Sequence, residues 1–95
     1  MSERTAAALA KLDELLPALA SLPEVAQRAQ LIEEAEALRR AVAAFHMEAI
    51  RFRMYSVDRL LKAIGGDDAK PRSLFEQLRA ELETAGFHTR SHTAP

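Results

Sequence analysis

Between Pro23 and Gly65 the chain contains neither glycine nor proline. Those two residues cost a helix interior about 1 and 3 kcal/mol respectively, so without them nothing in this stretch obliges the backbone to leave a helix. The pattern predicts one helix over 22–64, roughly 65 Å long at 1.5 Å per residue. Globular helices seldom reach that length. Such a helix is expected either to enter a coiled coil or to serve as a spine against which shorter helices dock.

Two shorter segments flank it. From about 3 to 20, Leu9, Leu12, Leu16 and Leu19 recur at three- and four-residue spacing, the mark of an amphipathic helix. Pro17 falls late in this segment, where a missing N–H would kink or end it near Leu16. Ser21-Leu22-Pro23-Glu24 then has the form of a capping box opening the long helix, with proline in the first turn. Gly65-Gly66 is expected to stop that helix, and GGDDAKPR reads as a polar loop. A second capping box, Ser73-Leu74-Phe75-Glu76, opens a helix over 73–85 with Leu74, Phe75, Leu78, Leu82 and Ala85 inward. Gly86 ends it, and Phe87 beyond it is placed to touch Leu82. Residues 88–95 read as a disordered tail, which leaves 1–87 as a single helical domain.

The long segment carries two apolar stripes. Leu31, Ala35, Leu38, Val42, Phe45, Ala49 and Phe52 form one; Met47, Ile50, Met54, Val57, Leu61 and Ile64 form the other. At about 100° per residue their centres lie roughly 120° apart, and they overlap only between Phe45 and Met54. The helix is therefore expected to change packing partner there, with the first helix on its N-terminal half and the last on its C-terminal half. A helix apolar over so wide an arc is normally buried on several sides. The expected architecture is all-α, in the order short helix, long central helix, short helix, a bundle completed by a second copy as an antiparallel dimer. Phe45, Met47, Ile50, Phe52, Met54, Val57 and Leu61 are the expected self-association or partner interface. Arg39, His46 and Arg53, at seven-residue intervals between the stripes, form a polar or anion seam. Their structural reading is pairing with Asp13, Glu14 or the acids of a second copy; their functional one is recognition of a carboxylate or phosphate.

Charge narrows the partner class. The formal net charge is −1, which disfavours a general nucleic-acid binder. It is unevenly spread, with five Glu against three Arg over 23–48, and six basic residues against three Asp over 49–72. The stretch RFRMYSVDRLLK places Arg51, Arg59 and Lys62 near one polar face with Tyr55, an alternative nucleic-acid contact surface of the kind that neutralises phosphates. Asp58 within the patch counts against it.

Catalysis and cofactors find little support. The absence of Cys excludes disulfides, thiolate metal sites and Cys nucleophiles, and fits a reducing, cytoplasmic setting. The residue three before His46 is Ala43, so the Glu-x-x-His signature of di-metal bundles is missing. His88 and His92 follow the Gly86 stop with no acid beside them, and Met47 and Met54 are at core-filling spacing. Gly65-Gly66 lacks the Lys-Ser or Lys-Thr of a phosphate loop. The N-terminal segment is charged throughout, a poor signal peptide, and no run reaches membrane-spanning length. Ten Arg against three Lys point weakly to a GC-rich bacterial source. No enzyme, metal or cofactor is expected. The expectation is a small helical adaptor or regulator that self-associates and binds a partner protein through an apolar helix face.

Overall fold

The computed structural model of the chain describes residues 3–22, 26–64 and 70–87. They form four helices of similar length and no strand: α1 (Glu3–Ala20), α2 (Ala26–Ala43), α3 (Met47–Ile64) and α4 (Lys70–Thr84). The fold is all-α as expected, but the single helix expected over 22–64 is two. The expected short, long, short pattern is thereby corrected to four comparable helices.

The break has a defined geometry. The Phe45 N–H donates to the Val42 carbonyl at 3.0 Å and the His46 N–H to the Ala41 carbonyl at 3.0 Å. This pair of bonds is a Schellman ending, which requires the first residue past the helix to be left-handed. Phe45 fills that place with φ 59°. Glycine usually takes the position, because a Cβ there costs roughly 1–2 kcal/mol. The turn is held from behind: the Phe45 and Phe87 rings lie 5.0 Å apart, tilted by 60°. The His46 carbonyl accepts the Ile50 N–H at 2.9 Å, which starts α3 one residue later. Local sequence would carry the helix through; tertiary packing overrides it.

The other ends divide between expectation and correction. The α4 ending follows the expected pattern, with Gly86 at φ 99°, its N–H on the Glu83 carbonyl at 3.0 Å and the Phe87 N–H on the Leu82 carbonyl at 2.9 Å. Helix α1 covers the expected 3–20 without ending at Pro17, which lies on the exposed side. Ser21 closes α1, its Oγ donating to the Pro17 carbonyl at 3.0 Å. Pro23 and Glu24 of the first expected capping box lie outside the described residues, as do Gly65-Gly66 and the 88–95 tail. Arg28 of α2 reaches back to the carbonyl of Ala20, the last residue of α1, and to that of Leu22 beyond it, at 3.3 and 3.1 Å, supplying a side-chain donor at the helix end. The second capping box is not formed. Helix α4 starts at Lys70, with Pro71 in the first turn where its missing N–H is harmless, and Ser73 is interior, accepting from Gln77 Nε2 at 3.3 Å.

Helix α1 packs on α2 and α4, and α2 on α3; the α3–α4 contact is the thinnest, and the diagonal pairs do not approach. The closure of α1 on α4 was not expected from sequence. It lets both stripes be buried within one chain: Leu31, Ala35, Leu38 and Val42 of the first, and Ile50, Met54, Val57 and Leu61 of the second, against Leu12, Leu15, Leu19, Phe75 and Leu78. Each fully buried Leu, Ile, Val, Met or Phe side chain among these stabilises the fold by about 1.5–3 kcal/mol. The Cα radius of gyration is 12.4 Å, which is the value a chain of this length has when folded on its own. Side-chain links span every neighbouring pair: Arg39 to Asp13 (2.8 Å), Arg53 to Glu34 (2.8 Å), Arg72 to Asp58 (2.7 Å), and Lys11 to Gln77 (2.9 Å).

Candidate interaction face

The seven residues expected to form an interface divide by burial. Ile50, Met54, Val57 and Leu61 are inside this chain's own core. Phe45, Met47 and Phe52 remain 39, 41 and 50% exposed, and they are the exposed large hydrophobic side chains of the described residues. All three fall within eight residues of chain, at the α2–α3 corner and in the first two turns of α3. Scattered single apolar residues on a surface need no explanation, whereas a local concentration does.

Helical geometry places them among charged neighbours. Counting about 100° per residue from Met47, the outward arc of α3 runs through Arg51, Tyr55, Glu48 and Phe52 within about 140°. Arg59 and Lys62 continue the same arc one to three turns further on. The apolar candidates and the alternative basic candidates therefore share one face, apolar toward the corner and basic toward the C-terminal half. Arg51 donates to Glu48 at 3.3 Å while its Nε is buried with no hydrogen-bond partner among the described residues. Lys62 pairs with Asp58 at 3.4 Å, and the Arg59 guanidinium lies 5.9 Å from the Tyr55 ring centre. Arg53 lies over the Phe52 ring at 5.2 Å.

The Arg39, His46 and Arg53 seam does not converge on one place. Arg39 grips Asp13 of α1 through two nitrogens, at 2.8 and 3.4 Å. Arg53 Nη1 donates to both Glu34 oxygens of α2 at 2.8 and 3.0 Å. His46 is exposed at the corner. The two arginines tie helices together, which is the structural reading of the seam, with Asp13 as one of the partners weighed for it.

The perturbed titrations belong to these ties. The hydrogen bond from Arg39 holds the Asp13 carboxyl below its ordinary range, and the same contact raises Arg39. At Asp58 burial pushes upward, but the hydrogen bonds and charges of Arg72 and Lys62 outweigh it and bring the carboxyl down. Both acids are anchored as anions. Among the described residues no group of three His, Asp or Glu is arranged to hold a metal, and no helix is long and apolar enough to cross a membrane.

Two contacts were missed in the sequence. Phe87 meets Phe45 as well as closing α4, and Asp58 joins α3 to α4 through Arg72 instead of merely interrupting a basic patch. The first had no local signal. The second was open to view as an acid set among arginines. Comparison with known protein families, curated proteins and solved structures gave no match to this chain.

Proposed function

We propose that this chain is a non-enzymatic interaction module, a small helical adaptor or regulator that self-associates and seats a partner protein on the outward face of α3. The observation that supports it most is the local exposure of Phe45, Met47 and Phe52 in a molecule whose other large apolar side chains, among the described residues, are buried or partly buried. Aromatic and Met side chains of this kind are enriched at protein interfaces, where a few of them carry most of the binding energy. The basic continuation through Arg59 and Lys62 favours a partner segment that is apolar at one end and acidic at the other. A reducing, cytoplasmic setting belongs to the same proposal and rests on the Cys-free sequence.

The test is molar mass by light scattering over a concentration series, for the parent and for a Met47→Ser/Phe52→Ser variant. With samples that have never been warmed, the parent is expected to rise above its 10.5 kDa chain mass toward a dimer, and the variant to stay there. A parent that stays monomeric throughout, or a variant that associates equally well, removes this face from self-association.

The second reading is nucleic-acid binding through Arg51, Arg59 and Lys62, favoured by their shared face with Tyr55 between them. Glu48 and Asp58, which pair with two of the three, weaken it. A mobility-shift titration at two salt concentrations separates the readings. Binding that collapses with salt supports this one, and no shift at low salt ends it.

A further inference from the structure

The corner at 44–46 is where local preference and tertiary structure disagree. Its sequence, Ala44-Phe45-His46 between Ala43 and Met47, contains no helix breaker, yet the chain turns there by holding an aromatic residue at φ 59°. A short, strained connection between two packed halves is the setting in which identical chains exchange elements. We propose that this corner is a hinge through which two copies of the chain exchange their α3–α4 halves.

The seams of the fold support the exchange. Cutting the chain at the corner leaves α1 with α2 and α3 with α4. The seams crossing the cut, α2 on α3 and α1 on α4, are the two most extensive in the molecule. Both re-form between copies, because each uses the same residues whichever chain supplies them. The Arg53–Glu34 pair and the Lys11–Gln77 bond cross the cut and become links between chains. The Arg39–Asp13 and Arg72–Asp58 pairs stay within their halves.

What differs between the closed chain and the exchanged pair is therefore the corner. Opened, it lets α2 and α3 join as one helix over 26–64, about 58 Å long at 1.5 Å per residue. The Schellman bonds of Phe45 and His46 give way to ordinary helical bonds four residues back, and Phe45 leaves the left-handed region. The Phe45–Phe87 ring contact is what opposes opening. The exchange goes beyond the α3-face reading, since it needs neither Met47 nor Phe52.

Charge complementation across α2 and α3 tests it. Two proteins are made in the Met47→Ser/Phe52→Ser background, one carrying Glu34→Arg and the other Arg53→Glu. Alone, each sets like charges against each other at the half-buried pair, in the closed chain and in its own exchanged dimer. In an exchanged heterodimer the native Glu34 of one chain meets the native Arg53 of the other, and the two substituted side chains meet as well. After brief warming and cooling of an equimolar mixture, native mass spectrometry is expected to show heterodimer exceeding the dimer of either variant alone by about tenfold or more, two charge pairs having been restored. A mixture with no more dimer than its parts, or with dimers in statistical proportion, overturns the proposal. If the charge variants fail to fold, isotopically heavy and light copies of the background protein are warmed together. Mixed dimers that persist for hours after dilution support the exchange, and monomer throughout, or dimers that re-equilibrate at once, overturns it. Because the background lacks the apolar face, failure of that face leaves these outcomes unaffected.

Discussion

Helices α2 and α4 end in the same hydrogen-bonded turn built on opposite residues. At Gly86 the left-handed position is filled by the residue that adopts it without a steric penalty, and the turn needs only local bonds. At Phe45 the same position is filled by an aromatic residue that resists it, and the ring of Phe87, from the far end of the chain, lies against it. One turn is specified by its own residues and the other by the folded whole. A terminus of the second kind is tied to global stability and leaves apolar side chains outside the core, here Phe45 and Met47.

The largest break in this comparison comes from Phe87→Ala. Phe87 is buried, belongs to the Gly86 turn and supports the Phe45 turn, so both corners lose an anchor. Urea unfolding should show a loss of about 3–5 kcal/mol, typical of a buried Phe truncated to Ala. Next come the two left-handed positions, which should respond differently. Gly86→Ala places a Cβ at φ 99° and should cost about 1–2 kcal/mol in the same assay. Phe45→Gly gains a similar amount by relieving strain, but loses an aromatic contact worth about 0.5–1.5 kcal/mol and about 0.4–1 kcal/mol to a freer unfolded chain. It should fall within about 1 kcal/mol of the parent; equal losses at both positions would mean that Phe45 carries no strain.

Acid sharpens the comparison further. The Asp58–Arg72 tie holds α4 to α3 across the thinnest seam, and so helps bring Phe87 to the Phe45 corner. Its carboxyl sits below its unfolded value, so its contribution is complete above about pH 4 and is lost as pH falls through the lower folded value. Asp58→Asn should cost about 1 kcal/mol at neutral pH and flatten the stability profile in the acid range. The smallest effect is expected at His46, which starts α3 without a favoured cap side chain. His46→Asp should raise stability by about 0.5–1 kcal/mol, measured as a higher urea midpoint with unchanged slope.

The legible parts of the fold were those with local causes. Leucine spacing marked α1, and Gly86 with Phe87 marked the end of α4 down to its hydrogen bonds. The change from one apolar stripe to the other marked the place where the packing partner changes, and the chain makes that change by turning. The turn itself was hidden, because Phe45 is an unremarkable helix residue until Phe87 lies against it. Ser73 misled for the opposite reason: it matches a capping box but sits inside a helix that began earlier, at Lys70. Four of the seven expected interface residues became core because α1 closes on α4, a long-range contact no spacing encodes.

The α3 face near the corner is the surface we propose this protein uses. Its most direct measurement is the backbone amide NMR spectrum recorded over a wide range of protein concentration. Shifts that grow with concentration should be confined to residues around Phe45, Met47, Glu48, Arg51 and Phe52, with Lys11, Asp13 and Gln77 on the opposite seams unmoved. Changes centred on α1 and α4, or a spectrum that does not change at all, would contradict it.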